Sequence, residues 1–501
     1  MFFMKNQVFN PYLPLDTYIP DGEPHVFGDR VYIYGSHDEE GGDCFCLLDY
    51  EAWSAPIDDL TDWRCEGTIY RAEQCKHYSE ERQDMYAPDV VQGNDGRYYL
   101  YYDLSGRGNH GFDGPISVAV CDTPAGKYEY YGDVKYPDGK PLRRFVPFDP
   151  AVLNDNGRFY LTYGWGFMMD THAPIVKYFM PKVMSNMFNK SVEEIKCEEP
   201  LSVLGANLVE LCDDMLTIKG EPVRILPAMN NAPKRTEFRK HSFFEAASLR
   251  KFGDLYYFIY SSQVNHELCY ATSKYVDHDY TYRGVIISNG DIGYNNRRAK
   301  ARLAATGTNH GSIECINGKY YIFYHRLTHN TAFSRQGCAE EIVIKADGSI
   351  EQVEMTSCGL NGAPLQAKGV YPAAICCNLT NGKMPHLSNV LKNKNAPNIN
   401  HEGNVRFVKD IENNTLVGFK YFDFQGETKV SVIARGAEGT LLVMTEQPKV
   451  LVEIMLEEST NWVESKTVTF NVKGKQPLYF IYDGKGKIDL LQINFKDTEE
   501  K

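Results

Sequence analysis

Glu23, Asp149, Glu245 and His310 stand at corresponding points of a repeated sequence pattern, each at the head of an apolar run that leads into a tight turn. Carboxylic acids drawn together in a partly dehydrated site repel and raise one another's pKa, so one keeps its proton while another stays ionised. Such a pair can hydrolyse a glycosidic bond. The protonated acid gives its proton to the leaving oxygen, and the carboxylate deprotonates a water on the opposite face of the sugar or attacks directly. A third acid holds the first one's pKa up and orients it. Glu23, Asp149 and Glu245 supply that inventory, and Asp89, two residues past the phased position Ala87, lies on the same side of its strand. One acid before a turn is ordinary solvated surface; acids at three of five phased positions are a constellation.

The elements that must position these residues are five copies of one block. They read EPHVFGDRVYIYGSHD (23–38), APDVVQGNDGRYYLYYDL (87–104), DPAVLNDNGRFYLTYGW (149–165), EAASLRKFGDLYYFIYSS (245–262) and HGSIECINGKYYIFYHR (310–326), starting 64, 62, 96 and 65 residues apart. Each is an apolar run, a Gly- or Asp-bearing turn and an alternating run rich in Tyr, Ile, Val and Phe, which is a β-hairpin signature. Hairpin repeats of this length predict a five-bladed β-propeller, whose first strands run nearest the axis and bring the phased positions to one face.

The 96-residue interval holds an excursion over 166–244, in which MMDTHAPIVKYFMPKVMSNMFNKSVEEI mixes apolar and charged residues at near-helical spacing. Local packing is its expected role, and a lid over the funnel the alternative. Residues 328–365 are expected to return a strand that closes the ring against the chain's start. Beyond about residue 365 come an Asn-, Lys- and Pro-rich stretch and some eight short alternating strands, the pattern of a β-sandwich. The fold class is therefore all-β: a five-bladed propeller over 1–365 and a sandwich of jelly-roll type over 366–501.

A net charge of −13, with no Lys/Arg cluster, argues against nucleic acid or an anionic membrane as partner. No run reaches the length of a membrane span. Thirteen cysteines show no zinc spacing, and with no secretory leader in the first residues they read as reduced thiols of a cytoplasmic protein.

The motifs YAPDV (86–90), FDPAV (148–152), FFEAAS (243–248), SSQVNHELCYATS (261–273) and NHGSI (309–313) resemble glycoside hydrolase family 43, in order and spacing, over roughly residues 10–360. The resemblance implies an inverting enzyme on a five-bladed propeller that removes α-L-arabinofuranosyl or β-D-xylosyl residues from arabinoxylan- or arabinan-derived oligosaccharides. Residues 405–495 are similar to carbohydrate-binding module family 6. There Trp462 and Tyr482 are candidate sugar platforms, with a mainly structural role expected.

By that resemblance Glu245 is the general acid, Asp149 tunes it, and Glu23 is the general base. The family usually has Asp at the base position, and Glu carries its carboxylate outward by about 1.5 Å, one C–C bond. Asp21, two residues earlier, is the alternative base. His310 would approach a central metal, calcium by the resemblance. Arg335 in TAFSRQGC would contact the sugar beside the scissile bond. His37, Asp38, Asp89, Tyr86 and Trp165 complete the expected sugar contacts. Two other readings stay open: a sugar-binding propeller without hydrolysis, and a phosphorylase, for which the phased positions offer only His310 to a phosphate.

Overall fold

The computed structural model describes residues 7–106, 112–167, 171, 173–196, 198–199, 201–387, 395–446 and 449–496. Its first part is five antiparallel sheets in chain order. Blade 1 holds β1 (Glu23–Phe27), β2 (Arg30–Tyr34), β3 (Tyr50–Pro56) and β4 (Arg64–Tyr70). Blade 2 holds β5 (Arg82–Gln92), β6 (Tyr98–Gly106), β7 (Ile116–Cys121) and β8 (Glu129–Asp133). Blade 3 is built of β9 (Ala151–Asp155), β10 (Arg158–Trp165), β11 (Gly205–Leu211) and β12 (Ile218–Pro227). Blade 4 comprises β13 (Phe243–Phe252), β14 (Leu255–Ser262), β15 (Leu268–Ser273) and β16 (Thr281–Ile287). Blade 5 has three strands, β17 (Ile313–Ile316), β18 (Lys319–Leu327) and β19 (Arg335–Ile342).

The expected hairpins form because their turns can. Asn156-Gly157 and Asn317-Gly318 have positive φ at both central residues (53° and 84°; 50° and 80°), the two-residue turn whose twist matches that of paired strands. Ring closure differs from expectation. Among the described residues the lead-in forms no strand, and the Asn10 side chain closes the ring by hydrogen bonds. Its Nδ2 donates to Ala339 O and to Glu340 Oε1, and its Oδ1 accepts from Ala339 N–H, at 2.9–3.0 Å. A buried amide bonded on both sides replaces the missing strand ladder.

The excursion contains one helix, α1 (Val176–Met187); residues 168–170, within the expected Met-rich stretch, lie outside the described residues. Met180 and Met184 of α1 are buried with Phe148, Trp165 and Phe244, so the helix backs an aromatic wall. Tyr178, on its other face, is 94% exposed.

The second unit is an eleven-stranded arrangement folded into a sandwich around Phe419, Phe422, Phe424, Phe480 and Phe495. Its first strand, Leu365–Gln366, pairs with Leu416–Gly436. The sequence predicts separate short strands where the fold has two long ones: TLVGFKYFDF and KVSVIARG join in Leu416–Gly436, and KTVTFNV and PLYFIYD join in Val468–Gly484. Gly426, at φ 125°, adopts a backbone conformation that a side chain would oppose, and the first strand continues through it. Tyr482 is a core residue whose hydroxyl donates to Glu438 O, while Trp462 packs edge-on to Phe407 beneath the Arg435 guanidinium.

Buried cations fix the sandwich to the propeller. Arg326 donates to Cys376 O and Ala374 O (3.0 and 2.7 Å), and Lys420 Nζ bonds Asp291 and Glu354 (2.9 and 2.8 Å). Lys420 is paired across the junction, so removing its carboxylate partners would leave a buried charge unpaired, at a cost of several kcal/mol. The twelve described cysteines are all free. No described helix is long and apolar enough to cross a membrane.

Candidate active site

Acids and aromatics meet in a cavity of about 120 Å³ lined by Asp21, Asp149, Glu245, His310, Arg335, His266 and Thr308, and walled by Phe45, Tyr86, Phe112, Phe148, Trp165 and Phe244. The polar residues sit where strands begin or turn. Asp21 lies two residues before β1, and Asp149 two before β9. Both have left-handed backbone (φ 57° and 47°), as do Ala246, His266 and Thr308 (64°, 53° and 43°). Non-glycine residues in that region carry strain, which gathers where side chains must be aimed. Glu245 is aimed by another device: the β13–β14 register slips on either side of it, and such a bulge turns a side chain out of the pleat.

Charge sets the acids apart. Burial would raise Asp21, but the Arg335 guanidinium, with His325 and His310, holds its carboxyl well below the usual range. Arg335 NH1 lies 2.8 Å from Asp21 Oδ1. Burial lifts Asp149 to about 6, with Asp21 adding to the rise and a hydrogen bond from Ala246 N–H opposing it. Glu245 is pushed up to about 8, by burial first and then by the negative charge of Asp149. His310 sits among three acids, its Nδ1 3.9 Å from Asp21 and 3.8 Å from Asp149, its Nε2 3.9 Å from Glu23. Burial works against its charge, but these carboxylates raise it to about 9. At neutral pH the site thus holds a neutral Glu245, ionised Asp21 and Asp149, and an imidazolium.

Not every expected residue reaches the cavity. Glu23, the base expected from the sequence, does not line it. One carboxylate oxygen is bound by Arg250 NH2 at 2.5 Å and Ser248 Oγ at 3.1 Å, at the heart of the ring, and the residue is 1% exposed. The blade 1 acid that lines the cavity is Asp21. Asp89 is fully buried, accepting from Val90 and Val152 N–H (2.8 and 2.7 Å) and facing His25 Nε2 at 2.6 Å, so it joins blades and touches no ligand space. Asp38 is spent on Arg335, bonding its Nε and NH2 at 2.8 and 2.9 Å. His37 Nδ1 lies 3.0 Å from Asp49 O, away from the cavity. Tyr86, Trp165, Arg335 and His310 do line it; one face of Trp165 is covered by Phe112, stacked at 5.1 Å.

The family model for glycosyl hydrolases family 43 matches residues 10–199. A "Xylosidase/arabinosidase" of Thermoclostridium stercorarium is 45% identical over 503 residues, covering 97% of this chain and 98% of its own. The chain belongs to glycosyl hydrolase family 43. A second "Xylosidase/arabinosidase", from Bacteroides ovatus, is 28% identical over 68% of this family-43 chain and 97% of its own length. Among solved structures, the β-xylosidase/α-arabinofuranosidase CoXyl43 from a compost microbial metagenome, with xylotriose in a calcium-free form, is 26% identical over 68% of this chain and 95% of its own, with a TM-score of 0.50.

His310, expected to approach a central metal, stands among Asp21, Glu23 and Asp149 in this family-43 propeller. Calcium takes about six to eight oxygen ligands; among the described residues Glu23 Oε1 is a buried carboxylate oxygen with no hydrogen-bond partner, beside the Arg250 guanidinium and the His310 imidazolium, and Glu23, His25 and Asp89 bring ligand atoms within 4.8 Å of one another.

The sequence reading missed Phe45, Phe112, Phe148, Phe244, His266 and Thr308. Phe45 and Phe112 come from loops with no repeat phase. Phe148 and Phe244 directly precede the cavity acids Asp149 and Glu245 in FDPAV and FFEAAS, and that adjacency is a signal in the sequence.

Proposed function

We propose that this family-43 glycoside hydrolase removes single terminal β-D-xylosyl or α-L-arabinofuranosyl residues from oligosaccharides by inversion, with Asp21 as general base, Glu245 as general acid and Asp149 as the residue that keeps Glu245 protonated. One observation carries the assignment: in a single cavity Asp21 is held ionised by Arg335 while Glu245 is held neutral by burial and Asp149. Two carboxyls with pKa values pushed apart are an acid and a base. Glu245 protonates the glycosidic oxygen as the bond to the anomeric carbon breaks. Asp21 takes a proton from the water that attacks the opposite face. Arg335 and the His310 imidazolium hold Asp21 in place and keep it ionised, and the aromatic walls exclude bulk water. The names of the relatives support pentosides as substrates, and the excursion backed by α1 supports a blind pocket that takes chain ends. Free cysteines fit a reducing, intracellular setting.

The test is release of 4-nitrophenol from the β-D-xyloside and the α-L-arabinofuranoside. Turnover of either supports the reading, and turnover of neither, with binding retained, would leave a sugar-binding propeller instead. The pH profile adds a sharper expectation. Glu245 must be protonated, so kcat/KM falls as pH rises through about 8. Asp149→Asn removes the neighbouring charge that helps raise Glu245, so the basic limb should move to lower pH, with lower activity throughout. A basic limb that stays in place would separate Asp149 from the titration.

A further inference from the structure

Two of the polar residues lining the cavity carry buried atoms with no hydrogen-bond partner among the described residues. His266 lies in the β14–β15 turn, where its N–H donates to Ser262 O (3.0 Å) and Ser262 N–H donates to Glu267 O (2.9 Å). The Thr308 N–H donates to His266 Nδ1 at 2.5 Å. A neutral imidazole has one accepting nitrogen and one N–H, so this bond places the proton on Nε2. Burial, with His386 and His325 nearby, keeps the ring neutral. Nε2 is buried with no hydrogen-bond partner, and the residue is 2% exposed. Thr308 Oγ1 is buried and unpartnered as well, on a β-branched residue whose positive φ is rarely adopted.

The imidazole is fixed in place. Phe244 stacks on it at 4.6 Å and His386 meets it edge-on at 4.7 Å. His386 belongs to the segment that leads into the sandwich and is tied down by Thr306. Its Nδ1 lies 2.9 Å from Thr306 Oγ1, and Leu387 N–H donates to Thr306 O at 2.7 Å. Buried donors left unpaired in a strained, well-packed wall are costly unless a ligand pairs them. A sugar hydroxyl both donates and accepts, and so can pair with an imidazole N–H and with a threonine hydroxyl; a methylene pairs with neither.

We propose that His266 Nε2–H, with the Thr308 hydroxyl, clamps one ring hydroxyl of the sugar in the cavity, making His266 a specificity-determining residue. The proposal rests on the glycosidase reading above. The experiment compares kcat/KM for the 4-nitrophenyl pentoside that is turned over and for its mono-deoxy analogues, in wild type, His266→Asn and His266→Gln. Asn suits the left-handed backbone and keeps an acceptor for Thr308 N–H, but its amide is too short to replace Nε2–H. Wild type should lose about 10- to 100-fold on one deoxy analogue. His266→Asn should lose a similar factor on the parent glycoside and no longer distinguish that analogue, with the pH limb of Glu245 unmoved. His266→Gln, which can present an N–H near the original point, should recover part of the discrimination. Wild-type turnover with equal discrimination in His266→Asn overturns the clamp alone; no wild-type turnover of either pentoside removes the glycosidase reading and the clamp with it.

Discussion

Glu245→Gln is expected to lower kcat on natural oligosaccharides by about 10²–10⁴-fold, the range for loss of a general acid. The amide fills the same space and keeps the bulged β13 strand, so the loss reports the proton. The same variant should lose less on 4-nitrophenyl glycosides, whose leaving group departs with little protonation, and its basic limb near pH 8 should disappear, since the titrating group is gone. Kinetics on the two leaving-group classes check this. An equal loss on both, with the limb intact, would assign Glu245 a structural part only.

Asp21→Ala is expected to cost about 10³-fold or more in kcat on every glycoside, whatever its leaving group, because water activation is needed in each case. Glu23→Ala should behave differently. It leaves Arg250 charged, buried and unpaired, a change that destabilises proteins by about 3–5 kcal/mol. Its main effect should be a lowered melting temperature, with activity lost in step with the folded fraction. Melting curves beside initial rates decide. A well-folded Glu23→Ala without activity, beside an active Asp21→Ala, would return the base to Glu23.

The difference between these two acids shows what the sequence could and could not reveal. Hairpin turns, apolar alternation and a five-fold repeat are local signals, and they give the blades directly. Asp149 and Glu245 fall in phase because each stands in or just before the first strand of its blade. In blade 1 the pattern begins at Glu23, yet the residue that corresponds to Asp149 in the fold is Asp21: both lie two residues before the strand, on left-handed backbone. A reading phased on the strand sequence is two residues late there, and Glu23 points inward to Arg250. Asp89 misled for a related reason: it lies on the inner strand, but its carboxylate is consumed by backbone N–H groups of β5 and β9. Phe45, Phe112 and His266 come from loops and a turn, where no period operates. Polar residues and glycines interrupt the long sandwich strands in the sequence, although in the fold the backbone pairing continues through Gly426.

The central claim is a single displacement in which Asp21 delivers water opposite Glu245. Proton NMR of the hydrolysis of 4-nitrophenyl β-D-xyloside, recorded before mutarotation, tests it most directly. The account predicts that α-D-xylose appears first and equilibrates to the β anomer afterwards. Initial appearance of β-D-xylose would contradict it, because that product requires a covalent intermediate and a carboxylate acting as nucleophile.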